Sequence, residues 1–451
     1  MSVRTDGADG ASGVLRRSIG LIQATALVAG IIIGASIFVQ PSEIVRDVPT
    51  VAGILLVWTA AGLLTLAGAL ICAELASAFP ETGGVYVFLR RTVAPVVAFL
   101  WGWAMFWSMH SGIIAAIGMI FGRYVTYFVP GGDTTVRALA IAAILIISAI
   151  NYVGVQHGGR LQAGFTIVKV AVIALMIAVA FALGTRNEVP TAALDAGVRN
   201  VGDGATLTAY VRAIAAGLFA FGGWHMVTYM AGETKDAERT IPRALVIGIV
   251  IVVACYIALN AAYLYVLPLD VVIGSTRVAA DASNAVLGGG GAAFVSALVA
   301  FSCFGAIAGL VLAGPRVYHS MAADRLIFRW LGATHPRYAT PHRAIALQAV
   351  WSCVLVATGS YRQLFTRVIY TEWLFFALMA VGLMLARHRP DYRPTWRMPG
   401  YPLVPGLFIA GALTVVVNQV IDQPGESAIG LGLVLLGIPV YYLWARPDRN
   451  R

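Results

Sequence analysis

Charge is what this sequence has least of. Asp, Glu, Lys and Arg make up only 12% of the 451 residues against 59% hydrophobic, and lysine occurs twice, at Lys169 and Lys235. A soluble globular surface cannot be covered with so few charges, so soluble enzymes and nucleic-acid-binding modules are excluded as classes. Cysteine is equally sparse. The four present, Cys72, Cys255, Cys303 and Cys353, all fall inside apolar runs at spacings that suit neither a zinc site nor a disulfide framework, and read as small core residues. The seven histidines form no HExxH or comparable ligand spacing, so neither a metal nor another cofactor is expected. No polar linker divides the chain, and the first twenty residues lack a short apolar core with a small-residue cleavage site, so the first helix is expected to stay. No nucleophile with a base, and no paired carboxylates, stand at helix spacing. A membrane enzyme is therefore not expected.

Long apolar runs are there in abundance, and mean hydropathy is +0.82. Twelve stretches approach the roughly 20 residues that cross a bilayer: about 19–40, 51–76, 95–128, 135–153, 160–183, 208–231, 242–266, 292–318, 342–358, 363–386, 403–420 and 427–444. The reading is an all-α membrane protein with twelve transmembrane helices, whose single domain spans 18–445 between an N-terminal tail, 1–17, and a C-terminal tail, 446–451. With both tails cytoplasmic, inside segments hold 21 Lys/Arg, outside segments 9, and one is buried. That asymmetry satisfies the positive-inside rule and accounts for the net charge of +10 without a polyanionic partner. The expected location is the cell (inner) membrane, multi-pass.

Two apolar segments are broken by glycine at corresponding places. Gly30-Ile-Ile-Ile-Gly34-Ala-Ser-Ile-Phe38 interrupts helix one, and Gly217-Leu-Phe-Ala-Phe-Gly222-Gly223-Trp224 interrupts helix six. A helix broken inside the bilayer must line a cavity, where its freed N–H and C=O groups find other partners. The breaks lie about 190 residues apart, which leaves five helices per unit and inverts the second. Repeat one would run over about 18–184, repeat two over about 207–387, with helices eleven and twelve (about 403–444) appended. N–H groups at Gly34, Ala35 and Ser36 suit a carboxylate, while carbonyls around Phe219 to Gly222 suit an ammonium, so the pair could recognise an α-amino acid through backbone. Glycines that merely allow close helix packing are the alternative.

These stretches resemble the amino acid-polyamine-organocation superfamily of transporters, and within it the L-type amino acid transporter family. Gly30 to Phe38 is similar to its first-helix motif. Ala73-Glu74-Leu75 with Phe79-Pro-Glu-Thr-Gly-Gly-Val-Tyr86 resembles the end of helix two and the following loop. Leu218-Phe-Ala-Phe-Gly-Gly-Trp224 is similar to helix six, Ser302-Cys-Phe-Gly305 with Arg316 to helix eight, and Glu372-Trp373 with Arg387-His-Arg-Pro390 to helix ten and its exit. The resemblance implies a 5+5 inverted-repeat fold with broken helices 1 and 6, working by alternating access. It also implies substrate contacts at Ile32, Gly34, Ala35, Ser36, Ile37, Phe219, Ala220 and Gly222, with Trp224, His225, Met226, Ser302, Cys303 and Trp373 shaping the pocket. Phe219 would be an aromatic gate. Ala35 stands where the family has a hydroxyl residue and Ser36 where it has glycine. After helix six, the stretch Gly232 to Pro242 keeps Glu233, Arg239 and Pro242 of the family's motif and changes others.

Lys169, mid-way along helix five, costs about 2.5 to 3.5 kcal/mol at that depth unless partnered. It matches the lysine of sodium-independent relatives, whose ammonium fills a sodium position, and is expected to couple or gate transport. A bond locking helix one to helix eight is compatible with that role. Glu372 would pair with Arg367, or act on substrate or proton. His110 and His225 are expected as polar residues between helices. The expected function is sodium-independent transport of small or neutral L-amino acids by exchange or proton-linked symport. A carrier of cationic amino acids or amines, with Glu372 as counter-charge, and a non-transporting sensor are the alternatives. Expected partners are the amino acid, protons if transport is proton-linked, and the bilayer; no accessory subunit is expected to be required.

Overall fold

The computed structural model describes residues 17–34, 36–153, 155–184, 205–275, 277–359 and 361–444, with side chains left undescribed at 155–161, 361–369 and 444. The described chain is helical throughout and contains no strand, only an isolated bridge between Ile19 and Thr234. In order, the helices of the first half are α1 (Leu21–Ile32), α2 (Gln40–Asp47), α3 (Val51–Ala78), α4 (Val85–Thr92), α5 (Pro95–Ala104), α6 (His110–Val125), α7 (Asp133–Val153) and α8 (Val155–Leu183). The second half begins with α9 (Leu207–Ala220), α10 (Ala237–Val266), α11 (Leu269–Gly274), α12 (Val278–Leu287) and α13 (Gly291–Ala323). It closes with α14 (His342–Thr358), α15 (Tyr361–Ala386), α16 (Leu403–Asp422), α17 (Pro424–Leu435) and α18 (Gly437–Trp444).

Nine helical stretches among the described residues are long and apolar enough to cross a bilayer, and three more, Leu21–Ile32, His342–Thr358 and Tyr370–Ala386, are apolar but shorter. The chain is a multi-pass membrane protein. Each apolar stretch of the sequence has its helical counterpart, but the first is divided by its glycine break into α1, a 3-10 turn at Ser36–Phe38 and α2. The same division separates α9 from a 3-10 helix at Trp224–Glu233.

Starts and bends have local causes. Thr50 and Thr206 cap α3 and α9, their hydroxyls accepting from the N–H groups of Gly53 and Ala209, both at 3.2 Å. Pro95 and Pro424 sit in the first turn of α5 and α17, where the missing N–H costs nothing. Between α5 and α6 the ladder widens to a π-helical turn over Met105–Met109, a local fault that recurs near functional sites in proteins. The central core packs α10 against both α3 and α1, with Trp58, Phe221 and Tyr256 in edge and tilted ring contacts.

Candidate functional site

The first break is finished by side chains from three other helices. Gly34 N–H turns back to the Ile32 carbonyl at 2.6 Å, which takes from Gly30 the donor a continuing helix would have supplied. The buried Lys169 ammonium of α8 fills that gap, donating to the carbonyls of Gly30 and Ile33 at 3.1 and 3.0 Å. Ser302 of α13 donates to the carbonyls of Ile33 and Gly34 at 3.2 and 3.1 Å. Lys169 reaches the break because two glycines leave room. A methyl group on Gly30 would strike Thr166, and one on Gly305 would press the lysine's own Cε and Nζ at 3.1 and 3.2 Å.

The second break begins where α9 runs out. Gly222 N–H returns to the Phe219 carbonyl at 2.9 Å, and Gly223 adopts φ +94°, a conformation that favours glycine, where a side chain would also run into Ile31. One hydroxyl joins the two breaks: Tyr256 of α10 lies 2.9 Å from the Ile32 carbonyl and 3.1 Å from that of Ala220. Sequence reasoning missed Tyr256, whose only outward signal was a phenol in the middle of an apolar helix. Tyr256→Phe should untie both ends while keeping the ring packing. The expected result is a loss of about 1–2 kcal/mol of stability, read by thermal melting; a variant that melts like wild type would contradict it.

Between the breaks lies a cavity of about 20 Å³, lined by Ile31, Ile32, Gly34, Ser36, Ile113, Ile117, Phe219, Ala220, Gly222, Gly223 and Leu310. That is room for about one water. It brings together Ile32, Gly34, Ser36, Phe219, Ala220 and Gly222 of the expected residues, and adds Ile113 and Ile117 from α6 and Leu310 from α13. Those three were invisible in the sequence, because an apolar residue in a wholly apolar helix carries no periodic signal. Ala35 lies outside the described residues.

The other expected residues surround the site without lining this cavity. Ile37, Met226 and Cys303 are buried, and Ser302 acts on the first break as described. The Trp224 ring packs 5.0 Å from Phe376 and 5.3 Å from His225, and Trp373 packs 5.6 Å from Phe408 and 5.8 Å from Phe376. His225 is wedged among Trp101, Tyr229 and Phe376, with neither ring nitrogen hydrogen-bonded among the described residues. His110 contacts the Leu310 carbonyl through Nε2 at 2.9 Å. Glu372 is buried and forms no ion pair among the described residues; the side chain of Arg367, its expected partner, lies outside them. Among the described residues no cluster of three His, Cys, Asp or Glu could hold a metal ion.

Ion pairs close both ends of the bundle. At one end the Glu233 carboxylate meets Arg316 Nε at 3.1 Å with both side chains buried, and its backbone carbonyl accepts from the N–H groups of Ser18 and Ile19 at 2.8 and 3.0 Å. Nearby, Asp324 is paired with Arg90 and accepts from Tyr86 at 2.6 Å, while Glu81 holds Arg90 and Arg91. The buried Glu74 carboxylate takes Arg387 at 2.8 and 2.5 Å, the Met398 N–H at 2.8 Å and the Tyr392 hydroxyl at 3.3 Å. Burial and the neighbouring Glu74 carboxylate push the Tyr392 phenol well above its ordinary pKa, so it stays a donor. At the opposite end Arg212 links Asp47 at 2.9 Å to Asp422 at 3.5 Å.

The family model for amino acid permeases matches residues 19–442. Among curated proteins, the serine/threonine exchanger SteT of Bacillus subtilis is 31% identical over 433 residues, covering 95% of this chain and 97% of its own. The human cystine/glutamate transporter is 27% identical, over 97% of this chain and 87% of its own. The human b(0,+)-type amino acid transporter 1 is 29% identical, over 95% and 88%.

Proposed function

Because this chain belongs to the amino acid permease family, whose matched relatives are transporters and not enzymes, we propose that it carries small neutral L-amino acids without sodium, by alternating access. The observation that carries this reading is Lys169, whose ammonium sits on the Gly30 and Ile33 carbonyls at 3.1 and 3.0 Å. A fixed cation there serves the broken backbone, and a sodium ion on the same carbonyls would meet its charge directly. Apolar walls at Ile113, Ile117 and Leu310 favour a small neutral side chain. The relative named as a serine/threonine exchanger supports both the size of the substrate and exchange as the transport mode, with proton-linked symport as the other option.

In this reading the amino acid enters between the breaks, its carboxylate on N–H groups of the first break around Gly34, Ala35 and Ser36, and its ammonium on carbonyls of Ile32, Phe219 and Gly222. The Ile32 carbonyl already accepts from the Gly34 N–H at 2.6 Å and from Tyr256 at 2.9 Å, so the ammonium takes it only by displacing one of these donors. Phe219 is the gate, because its ring lines the cavity and must move before a ligand larger than water can enter. Twelve crossings in two inverted sets of five, plus α16 and the α17–α18 pair, accommodate both breaks, and an inside N-terminus places the Glu233–Arg316 pair at the cytoplasmic end. Heavy accessory subunits are not required by this reading.

A second reading follows from Glu372, buried with no ion pair among the described residues: a carboxylate so placed could balance a cationic amino acid. Both readings are tested in proteoliposomes of the purified chain, loaded with unlabelled serine and given labelled serine outside in sodium or in choline buffer. Exchange should be equal in the two buffers. A sodium requirement of about tenfold would reject the proposed ion independence, and label uptake driven by internal lysine but not by serine would favour the cationic reading.

A further inference from the structure

Sharing no lining residue with the cavity between the breaks, a groove of about 520 Å³ runs between α5, the π turn after it, the end of α13, α14 and α18. Its walls are aromatic: Phe106, Trp107, Tyr318, Phe328, Trp330 and Trp351 all line it. It opens sideways, since Val350 is 60% and Trp330 45% exposed. Two of the four indoles have their N–H groups engaged with the protein backbone. Trp351 Nε1 donates to the Trp107 carbonyl at 3.0 Å and Trp103 Nε1 to the Leu433 carbonyl at 2.7 Å, so these donors are already used. A volume of several hundred Å³ with such walls fits an apolar molecule.

The rim carries charge of one sign. Arg329 stands between Phe328 and Trp330, and the Arg343 guanidinium reaches the Trp330 carbonyl at 3.4 Å; both arginines are exposed, and neither forms an ion pair among the described residues. The only carboxylate in the connection from 324 to 341, Asp324, is already held by Arg90. An aromatic slot with two unneutralised arginines at its mouth has the chemistry of an interfacial site for an anionic amphiphile. A second copy of the chain is disfavoured as occupant, because a two-fold contact would set the same arginines against each other.

We propose that the groove binds one acyl chain of an anionic phospholipid, whose headgroup phosphate rests on Arg329 and Arg343. The site lies at the end of the bundle that the proposed orientation places in the cytoplasmic leaflet, and its binding is measured without any transport assay, so it fails or stands apart from the transport reading. The test is native mass spectrometry of the detergent-purified chain with equimolar phosphatidylglycerol and phosphatidylethanolamine of identical acyl chains. Wild type should retain phosphatidylglycerol about tenfold better. Arg329→Gln with Arg343→Gln should remove that preference with the melting temperature in detergent unchanged. Val350→Trp, which fills the mouth, should remove adducts of both lipids. Equal retention of the two lipids by wild type would overturn the proposal, as would a preference that survives the double substitution. So would displacement of the bound lipid by millimolar glycerol phosphate, which would make the arginines a site for a free anion, or a chain dimer that Val350→Trp abolishes.

Discussion

Lys169→Ala is expected to reduce amino acid transport by about a hundredfold and to cost roughly 2–3 kcal/mol of stability, because it strips two hydrogen bonds to buried carbonyls from a charged donor. The Ile33 carbonyl keeps Ser302, but the Gly30 carbonyl is left without a donor among the described residues. Some substrate binding should survive, since the N–H groups of the first break and the carbonyls of the second are untouched. The measurements are exchange in proteoliposomes and thermal melting with and without the amino acid. Exchange at the wild-type rate would remove Lys169 from the mechanism. Arginine at 169 should not rescue, because the guanidinium is larger than an ammonium and Gly305 already leaves only 3.2 Å to Nζ from where a methyl group would stand.

Removing Arg316 should cost still more stability, and for a different reason. Arg316→Ala leaves the Glu233 carboxylate buried without its counter-charge, a change that costs about 3–5 kcal/mol. Arg316→Met combined with Glu233→Gln removes both charges and should recover much of the loss, because two desolvated ions are replaced by groups that need no pairing. Melting temperatures of the wild type, Arg316→Met, Glu233→Gln and the double variant form a closed cycle that measures the coupling. Equal losses in the single and double variants would show that the pair acts through packing alone. Exchange separates the two roles: a latch that only holds the fold predicts that the double variant transports normally, whereas a working gate predicts that it leaks.

The features visible in the sequence were those in which a residue violates its surroundings. A lysine in an apolar helix at position 169, and glycine breaks at Gly34 and at Gly222–Gly223, were out of place and so informative, and the structure joins Lys169 to the first break. Glu74 was equally conspicuous, and it is met by Arg387, Tyr392 and Met398 across more than three hundred residues of chain. What stayed hidden was the packing of apolar residues on apolar helices. Ile113, Ile117 and Leu310 line the cavity, yet nothing separates them in sequence from the many buried aliphatics around them. Trp224 and Trp373, expected to shape the pocket, pack against Phe376 and Phe408, and neither lines the small cavity between the breaks. The first span was also harder to read than the others, because its break leaves α1 with only 12 residues and divides an apolar run into three pieces.

The Tyr256 hydroxyl has a single hydrogen and two carbonyls within reach, Ile32 at 2.9 Å and Ala220 at 3.1 Å. It can be shared between the two halves only while they remain side by side. Once either half moves, the hydrogen must stay with one carbonyl and abandon the other, so a single proton's allegiance biases which broken helix departs first and which stays with the scaffold.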